Sequence, residues 1–339
     1  QSPHNNVETI APSIDAVSEF KITTQIPQAE FFNSAGGNIN VLIKSGTNEL
    51  HGSLFEFNRT KMLRALNYYD RGQPPNWNFH QFGATAGGPV SLPKIYSGKD
   101  RTFFFASYHG TRHPYANPQV LSLPDPAWQT GDFSAYRAVY DPQSTTYNAV
   151  TNVWSRERFA GNRIPLSRMD PVARKIAPYY PSPNRPPTQN PWGPSSNFLW
   201  NPVNSFDLDA IDWRIDHSFS DNSKIFLRES FNYQRGRTWL LFTEPAADDR
   251  QRFAPTHRGS WTLGHNYTMG ATRFNEVRLG YMRRRWQSQH PSQSQNWARQ
   301  IGIPEKGLPN FGWAFPRFNI DNVEALGPAT GSVNIDQVE

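Results

Sequence analysis

The stretch that decides the fold runs from Phe206 to Tyr233: Phe206-Asp207-Leu208-Asp209-Ala210-Ile211-Asp212-Trp213-Arg214-Ile215-Asp216-His217-Ser218-Phe219, then Ser220-Asp221-Asn222-Ser223, then Lys224-Ile225-Phe226-Leu227-Arg228-Glu229-Ser230-Phe231-Asn232-Tyr233. In the first arm Ile211, Trp213, Ile215 and Phe219 alternate with Asp212, Arg214 and Asp216. A period of two puts each set on its own side of a strand. The second arm sets Ile225, Leu227, Phe231 and Tyr233 against Arg228, Ser230 and Asn232. With the tight polar turn between the arms, the stretch predicts a hairpin, apolar on one side and charged on the other.

Working outward, the design recurs. Trp261, Leu263, Tyr267 and Met269 precede the turn Met269-Gly270-Ala271-Thr272, and Val277, Leu279 and Tyr281 follow it. Upstream, residues 51–112 hold three strand-like runs. In the first, Ser53, Phe55, Phe57 and Arg59 oppose Leu54, Glu56 and Asn58. The second, Asn78 to Val90, is rich in Gly and Ala and reaches a bulge or turn at Gly87-Gly88-Pro89. The third, Thr102 to Tyr108, has aromatics on both faces. Before them, Phe20 to Thr24 and Asn38 to Lys44 read as two short strands of a small mixed domain. After Arg283 the chain reads as polar loop to its end.

Turn lengths alternate. The turns at 220–223 and 270–272 are tight, whereas 113–204, 236–257 and 289–339 are long. Bacterial outer-membrane barrels combine short periplasmic turns with long extracellular loops. In such a barrel the charged face meets the lumen and the aliphatic face meets lipid, with Trp213, Tyr233, Trp261, Tyr267 and Tyr281 as interfacial aromatics.

Composition agrees. The 339 residues are 37% hydrophobic, 14% aromatic and 18% charged, with a mean hydropathy of -0.69 and a net charge of +6. So many aromatics with so little charge do not describe a disordered chain. The absence of Cys removes disulfide frameworks, cysteine zinc sites and thiol catalysis. The longest apolar runs, such as Phe103 to Ala106, are far short of a membrane helix, whereas a barrel strand needs only about 9–11 alternating residues. The basic residues are scattered, with no run of five, so nucleic acid is not an expected partner despite a pI near 9.5. Gln1 opens the chain with neither an initiator Met nor an apolar leader, which reads as an internal piece of a longer protein.

Region 113–204 contains 15 prolines among many aromatics, the composition of a folded surface loop. Trp128, Tyr136, Trp154 and Trp192 are its candidate substrate-binding residues, because aromatic rings stack on sugars and on aromatic chelators; packing within the loop is their plain alternative. Asp212, Arg214, Asp216 and Arg228 are expected to form a ladder of ions facing the lumen.

Fragments that suggest chemistry fail on context. Ser91-Leu92-Pro93-Lys94, Ser220-Asp221-Asn222 and Lys44-Ser45-Gly46 match serine-acylase motifs in the wrong order, and the first lacks the helix that places Lys one turn after Ser. His109 and His113 stand four apart, a spacing that offers two metal ligands on a helix, but Gly110-Thr111-Arg112 between them holds no Glu, the preceding run is strand-like and Pro114 follows, so they read far more readily as exposed loop histidines than as metal ligands. Gly83 to Gly88 lacks the order of a phosphate cradle and reads as close strand packing. No enzyme activity, metal or cofactor is expected.

The run Ile14-Asp15-Ala16-Val17-Ser18-Glu19-Phe20-Lys21, with Ser34-Ala35-Gly36-Gly37-Asn38-Ile39-Asn40-Val41, Lys44-Ser45-Gly46-Thr47-Asn48 and His51-Gly52-Ser53, resembles TonB-dependent outer-membrane receptors. The nearest subgroup is the Oar-like one, whose members carry a carboxypeptidase-regulatory-like domain. Phe82 to Pro89, Arg101 to Tyr108 and Trp213 to Phe219 extend the likeness into barrel strands. The resemblance implies that 1–48 is the C-terminal part of a small α/β plug. It makes 49–339 the first part of an antiparallel transmembrane β-barrel, showing about seven of about 22 strands. Gly36, Gly37, Asn40, Lys44, Ser45, Gly46, Thr47, His51 and Gly52 become the plug–barrel junction. The implied function is import: substrate binds to extracellular loops and plug, and an inner-membrane TonB complex supplies energy through an N-terminal part not in this chain. The implied surroundings are outer-membrane lipid. The alternative from a different class is a soluble or surface-exposed β-sandwich that binds carbohydrate or mediates adhesion.

Overall fold

The computed structural model describes residues 12–23, 38–63, 78–116, 118–188, 190–250, 255–288, 290, 292, 295–304, 314–329 and 333–338. Val17–Thr23 (β1) and Asn38–Ile43 (β2) pair antiparallel as a small separate sheet. A second sheet has eight strands. They are His51–Arg59 (β3), Phe79–Pro89 (β4), Thr102–Ala116 (β5), Val203–Ser220 (β6), Ser223–Arg237 (β7), Thr256–Met269 (β8), Arg273–Ser288 (β9) and Val333–Val338 (β10). Their spatial order is their chain order, and every pairing is antiparallel. This continuous meander is not a sandwich, whose strands would divide between two facing sheets.

Register converts the alternation into two chemical faces. Ile215 pairs with Phe104 and Leu227, Leu227 with Leu263, and Leu263 with Leu279. A parallel row runs Tyr108, Ile211, Phe231. Ile211, Ile215, Leu227, Phe231, Trp261, Leu263, Val277, Leu279 and Tyr281 are all exposed. So wide an apolar patch is foreign to water. On the opposite face Ser107, His109, Thr111, Asp212, Ser230 and Asn232 are buried and polar. Glu229 stands on the apolar face, where the Trp213 indole donates to it at 2.7 Å. Trp213, Tyr233, Trp261, Tyr267 and Tyr281 share that face by register, as predicted.

Several boundaries differ from the sequence reading. β5 continues to Ala116, so His109 and His113 are strand residues, and His109 is buried instead of lying in an exposed loop. Its last residues match no hydrophobic alternation; pairing to β6 sets their conformation. The long loop therefore spans 117–202 and not 113–204. β9 runs on through Trp286 to Ser288, and Val333–Val338 adds an eighth strand where loop was expected.

All the long connections, 60–78, 117–202, 238–255 and 289–332, leave from one rim. The short ones, 90–101, 221–222 and 270–272, lie at the other rim, where β2 also leads into β3.

Candidate functional site

The polar face of the sheet is covered at its short-turn end by the β1–β2 hairpin. Ala16 and Ile43 from the hairpin bury against Phe105 of β5. Ser45 Oγ donates to Asp216 Oδ2 at 2.7 Å, and Ser53 Oγ donates to Asp15 Oδ2 at 2.6 Å. Arg214 grips Asp216 through Nε and a terminal nitrogen, at 2.9 and 2.7 Å, and reaches the Ile43 carbonyl at 3.5 Å. A guanidinium held in two places by one carboxylate is directional.

The expected ionic ladder forms only in part. Asp216 and Arg214 pair. Asp212 is fully buried and accepts from Ser107 Oγ at 3.2 Å, leaving its second carboxylate oxygen without a hydrogen bond among the described residues. Arg228 stands opposite Arg214 and, among the described residues, makes a single 3.5 Å contact, with Thr262 Oγ1. No ion pair joins it to Asp212 among the described residues, because register faces Asp212 with Ser107 and Ser230 instead.

Of the junction residues, Gly36 and Gly37 lie outside those described. Asn40 pairs with Lys21, and the Lys44 amide donates to the Ala16 carbonyl. Gly46 is where the chain passes closest to the sheet: a Cβ there would overlap the Phe104 carbonyl, so only glycine fits. Thr47 Oγ1 donates to the Glu49 carbonyl at 3.1 Å and lies 3.3 Å from His51 Nδ1. Gly52 presses on the Thr85 backbone of β4.

At the opposite rim three connections fold together into a cap. Leu123, Ile176, Tyr180 and Trp200 from 117–202 bury with Leu241, Phe242 and Ala247 from 238–255, and with Trp297, Ile301, Phe315 and Leu326 from 289–332. Asp248, fully buried, accepts the Leu241 and Phe242 amides at 2.5 and 3.1 Å. Arg250 donates to Glu324 at 2.5 Å and lies over the Trp200 ring at 4.9 Å. His290 Nε2 lies 2.7 Å from the Asp248 carbonyl. The loops thus share one core and a polar brace.

Within this cap the four candidate aromatics do not form one site. Trp128 stacks on Phe133 at 5.2 Å and meets Tyr136 edge-on at 5.4 Å. Tyr136 donates its hydroxyl to Asp125 at 2.7 Å, and burial, then that carboxylate, pushes its pKa up. Trp192 is 61% exposed, with the Arg137 guanidinium 3.4 Å above its ring. The following Gly193 borders Trp128. Trp128, Tyr136 and Trp192 therefore share a neighbourhood, whereas Trp154 packs on Tyr147 in the hairpin Thr146–Ser155.

Sequence reasoning missed the side chains that hold the cap. Asn162, buried, donates to the Phe133, Tyr136 and Arg137 carbonyls and accepts the Val139 amide. Asn197 exchanges two hydrogen bonds with the Leu123 backbone. No periodicity marks such residues; an Asn among prolines and glycines reads only as a turn former.

The catalytic fragments stay apart. Ser91 stands in the first arm of a short hairpin and Lys94 in its turn, at φ 64°, and the Ser220 motif is the β6–β7 turn. Among the described residues no three His, Cys, Asp or Glu side chains converge as a metal site.

Comparisons with known proteins agree with this geometry. A family model described as an outer membrane beta barrel domain matches residues 42–338. Over 118 residues the chain is 35% identical to the TonB-dependent transporter Oar of Myxococcus xanthus, covering 32% of this chain and 10% of that protein. The chain thus spans about a tenth of the length of the curated relative it matches. No solved structure matches it. With an apolar outer band, a polar inner face and loops gathered at one rim, the chain belongs to the outer membrane beta-barrel domain family and resides in the outer membrane.

Proposed function

We propose that the chain is the plug end and first barrel strands of a TonB-dependent transporter, with residues 1–48 as plug and 49–339 as barrel. The observation that carries this reading is the β1–β2 hairpin anchored on the polar face by Ser45, Asp216, Arg214 and Ile43. A polar face lining a lumen and covered from the short-turn rim is a closed path, and a pull on the hairpin would break few bonds. Substrate would meet the cap first. Trp192 with Arg137 offers an exposed aromatic-cation surface there, Trp128 and Tyr136 support it from beneath, and Trp154 lies on a separate hairpin. Asp212, Arg214 and Arg228 line the route behind the hairpin.

The test compares spent medium from cells with and without the full-length protein, in backgrounds with and without TonB. The expected result is at least one compound depleted only when both are present, and merely cell-bound when TonB is absent. Equal depletion without TonB would overturn the reading. Oxidising a Ser45→Cys/Asp216→Cys pair is expected to block depletion reversibly, because the two side chains already touch.

A further inference from the structure

Register sets two arginines face to face on the polar side of the sheet. Arg258 of β8 stands directly opposite Arg284 of β9, and the neighbouring positions on that side are Ser230, Asn232 and Gln234 of β7, Ser260 of β8, and Met282 and Trp286 of β9. None of them is acidic. Like charges directly opposite one another on paired strands are unfavourable, and an anion placed between the guanidiniums turns that repulsion into two attractions.

The wall neutralises its other arginines. Arg214 is gripped by Asp216 and lies over the Phe226 ring at 4.7 Å, and Arg278 is paired with Glu276. Asp212, the remaining acid on this side of β6 to β9, accepts from Ser107 Oγ. Arg284 has nothing comparable: it makes no hydrogen bond or ion pair among the described residues, and its Nε is buried. Arg258 donates to the neutral amide of Gln234 at 3.2 Å. Arg228, in the row of Arg214, likewise buries an Nε without an acceptor among the described residues. Positive charge unmatched by the wall therefore continues from the Arg258–Arg284 pair toward the short-turn rim.

Depth places the pair on the route. Ala210 of β6 shares its row through Asn232, and Arg214, where the β1–β2 hairpin is anchored, lies four residues nearer the short-turn rim. At about 3.3 Å per residue and a tilt of about 45°, the two levels are roughly 9 Å apart along the barrel axis. The pair stands on the cap side of the anchor, where a solute that has passed the loops meets the closed path. Of the described acids ahead of β2, Asp15 is bound by Ser53 and Glu19 is exposed, so neither occupies the pair.

We propose that Arg258 and Arg284 form an anion-binding station on the lumen wall, and that the imported solute carries at least two carboxylate or phosphate groups. The inference rests on the transport reading above and names its substrate class. Directly opposite residues hold their Cβ atoms about 4.5–5.5 Å apart, a span that neighbouring acid groups on one small molecule can match. Each planar guanidinium takes two oxygens of an acid group in a fork.

The experiment titrates the full-length protein in detergent, by calorimetry, with propane-1,2,3-tricarboxylate and with its neutral triamide. Wild type is expected to bind the acid and not the amide, more weakly as salt rises. Arg284→Gln is expected to weaken binding about tenfold and Arg258→Gln/Arg284→Gln about 100-fold, at about tenfold per charge-assisted hydrogen bond lost. Arg237→Gln, which removes the same charge from the outer face, leaves binding unchanged. Because Arg284 bonds to nothing described in the fold, Arg284→Gln keeps the test sound if the double variant misfolds. No binding by wild type, equal binding of acid and amide, or wild-type affinity in Arg284→Gln would each overturn the proposal. TonB-dependent depletion of an uncharged compound would also overturn it while leaving the transport reading intact, whereas charge-selective binding through Arg284 without TonB-dependent depletion would overturn that reading and leave the station standing.

Discussion

Replacing Leu263 with Arg tests which face of the sheet meets lipid. Leu263 lies mid-strand in β8, between Leu227 and Leu279, in the row that continues to Ile215 and Phe104. None of these neighbours offers a counter-charge or a hydrogen bond. A guanidinium at the midplane of a barrel's lipid face costs about 2–4 kcal/mol. At about 1.4 kcal/mol per decade, that is roughly 30- to 800-fold in the folding equilibrium. The matched control is Gly280→Glu: Gly280 stands opposite Thr262, on the other face, and a Cβ there meets nothing within 4 Å. A carboxylate in that open, wet position near Arg278 is expected to change stability by less than about 1 kcal/mol. The assay is reversible unfolding of the full-length protein in lipid vesicles, followed by tryptophan emission and by heat-modifiable mobility. Equal cost at both positions, or none at Leu263, would refute the assignment of faces.

Gly46→Val is expected to detach the hairpin, because its side chain would collide with the Phe104 carbonyl; faster proteolysis after β2 with the barrel intact is the readout, and unchanged proteolysis would contradict the close approach. Asp248→Ala strips two buried amides of their acceptor, at about 1–3 kcal/mol each, so protease should cut 238–255 sooner while β7 and β8 stay protected. Trp200→Ala is expected to cost about 3–5 kcal/mol of cap stability, whereas Trp192→Ala, removing an exposed ring, should leave stability nearly unchanged. The carboxyl of Asp141 is held below the usual range, first by the Arg168 hydrogen bond and then by the Gln143 amide. A lowered folded pKa adds stability above the ordinary carboxylate value and loses it as pH falls through the lowered one. The near-ultraviolet dichroism of the cap should therefore hold from pH 8 to 5 and fade only below about pH 4; a midpoint near neutrality would point to a histidine instead.

The strands were legible wherever one face is aliphatic. The Phe206–Tyr233 hairpin and the Trp261–Tyr281 pair follow from alternation alone, because each odd side chain faces one solvent and each even one another. Alternation failed at the ends of β5 and β9. His109 to Ala116 and Trp286 to Ser288 carry no apolar period, and they are strands only because β6, β8 and β10 offer register partners. The cap was legible as folded but not as shared. Its core joins Tyr180, Phe242 and Phe315 from three connections far apart in sequence, and no local pattern encodes a contact between loops. The ionic ladder failed for a related reason. Asp212 and Arg228 share the polar face, but which of its residues stand opposite one another depends on register, which composition does not reveal.

A chain with a mean hydropathy of -0.69 inhabits a membrane because three environments are averaged in that figure. The aliphatic rows touching lipid use only alternate residues of the strands. The intervening residues, Asp212, Arg214 and Arg228 among them, form the polar face, and the apolar residues of the loops are consumed in a separate core outside the bilayer. Each environment constrains the next. The polar face requires a cover, and the β1–β2 hairpin supplies one at the short-turn rim. The cap braces the opposite rim, so β5 to β9 are held at both ends. The flanks are different: β3 and β10 each present one edge that no described strand pairs. Hydrocarbon does not tolerate unsatisfied backbone groups. The eight strands therefore persist in the bilayer only when further strands continue the sheet past β3 and β10, and stability measured on these residues alone should fall short of that of the closed barrel by far more than any single side chain contributes.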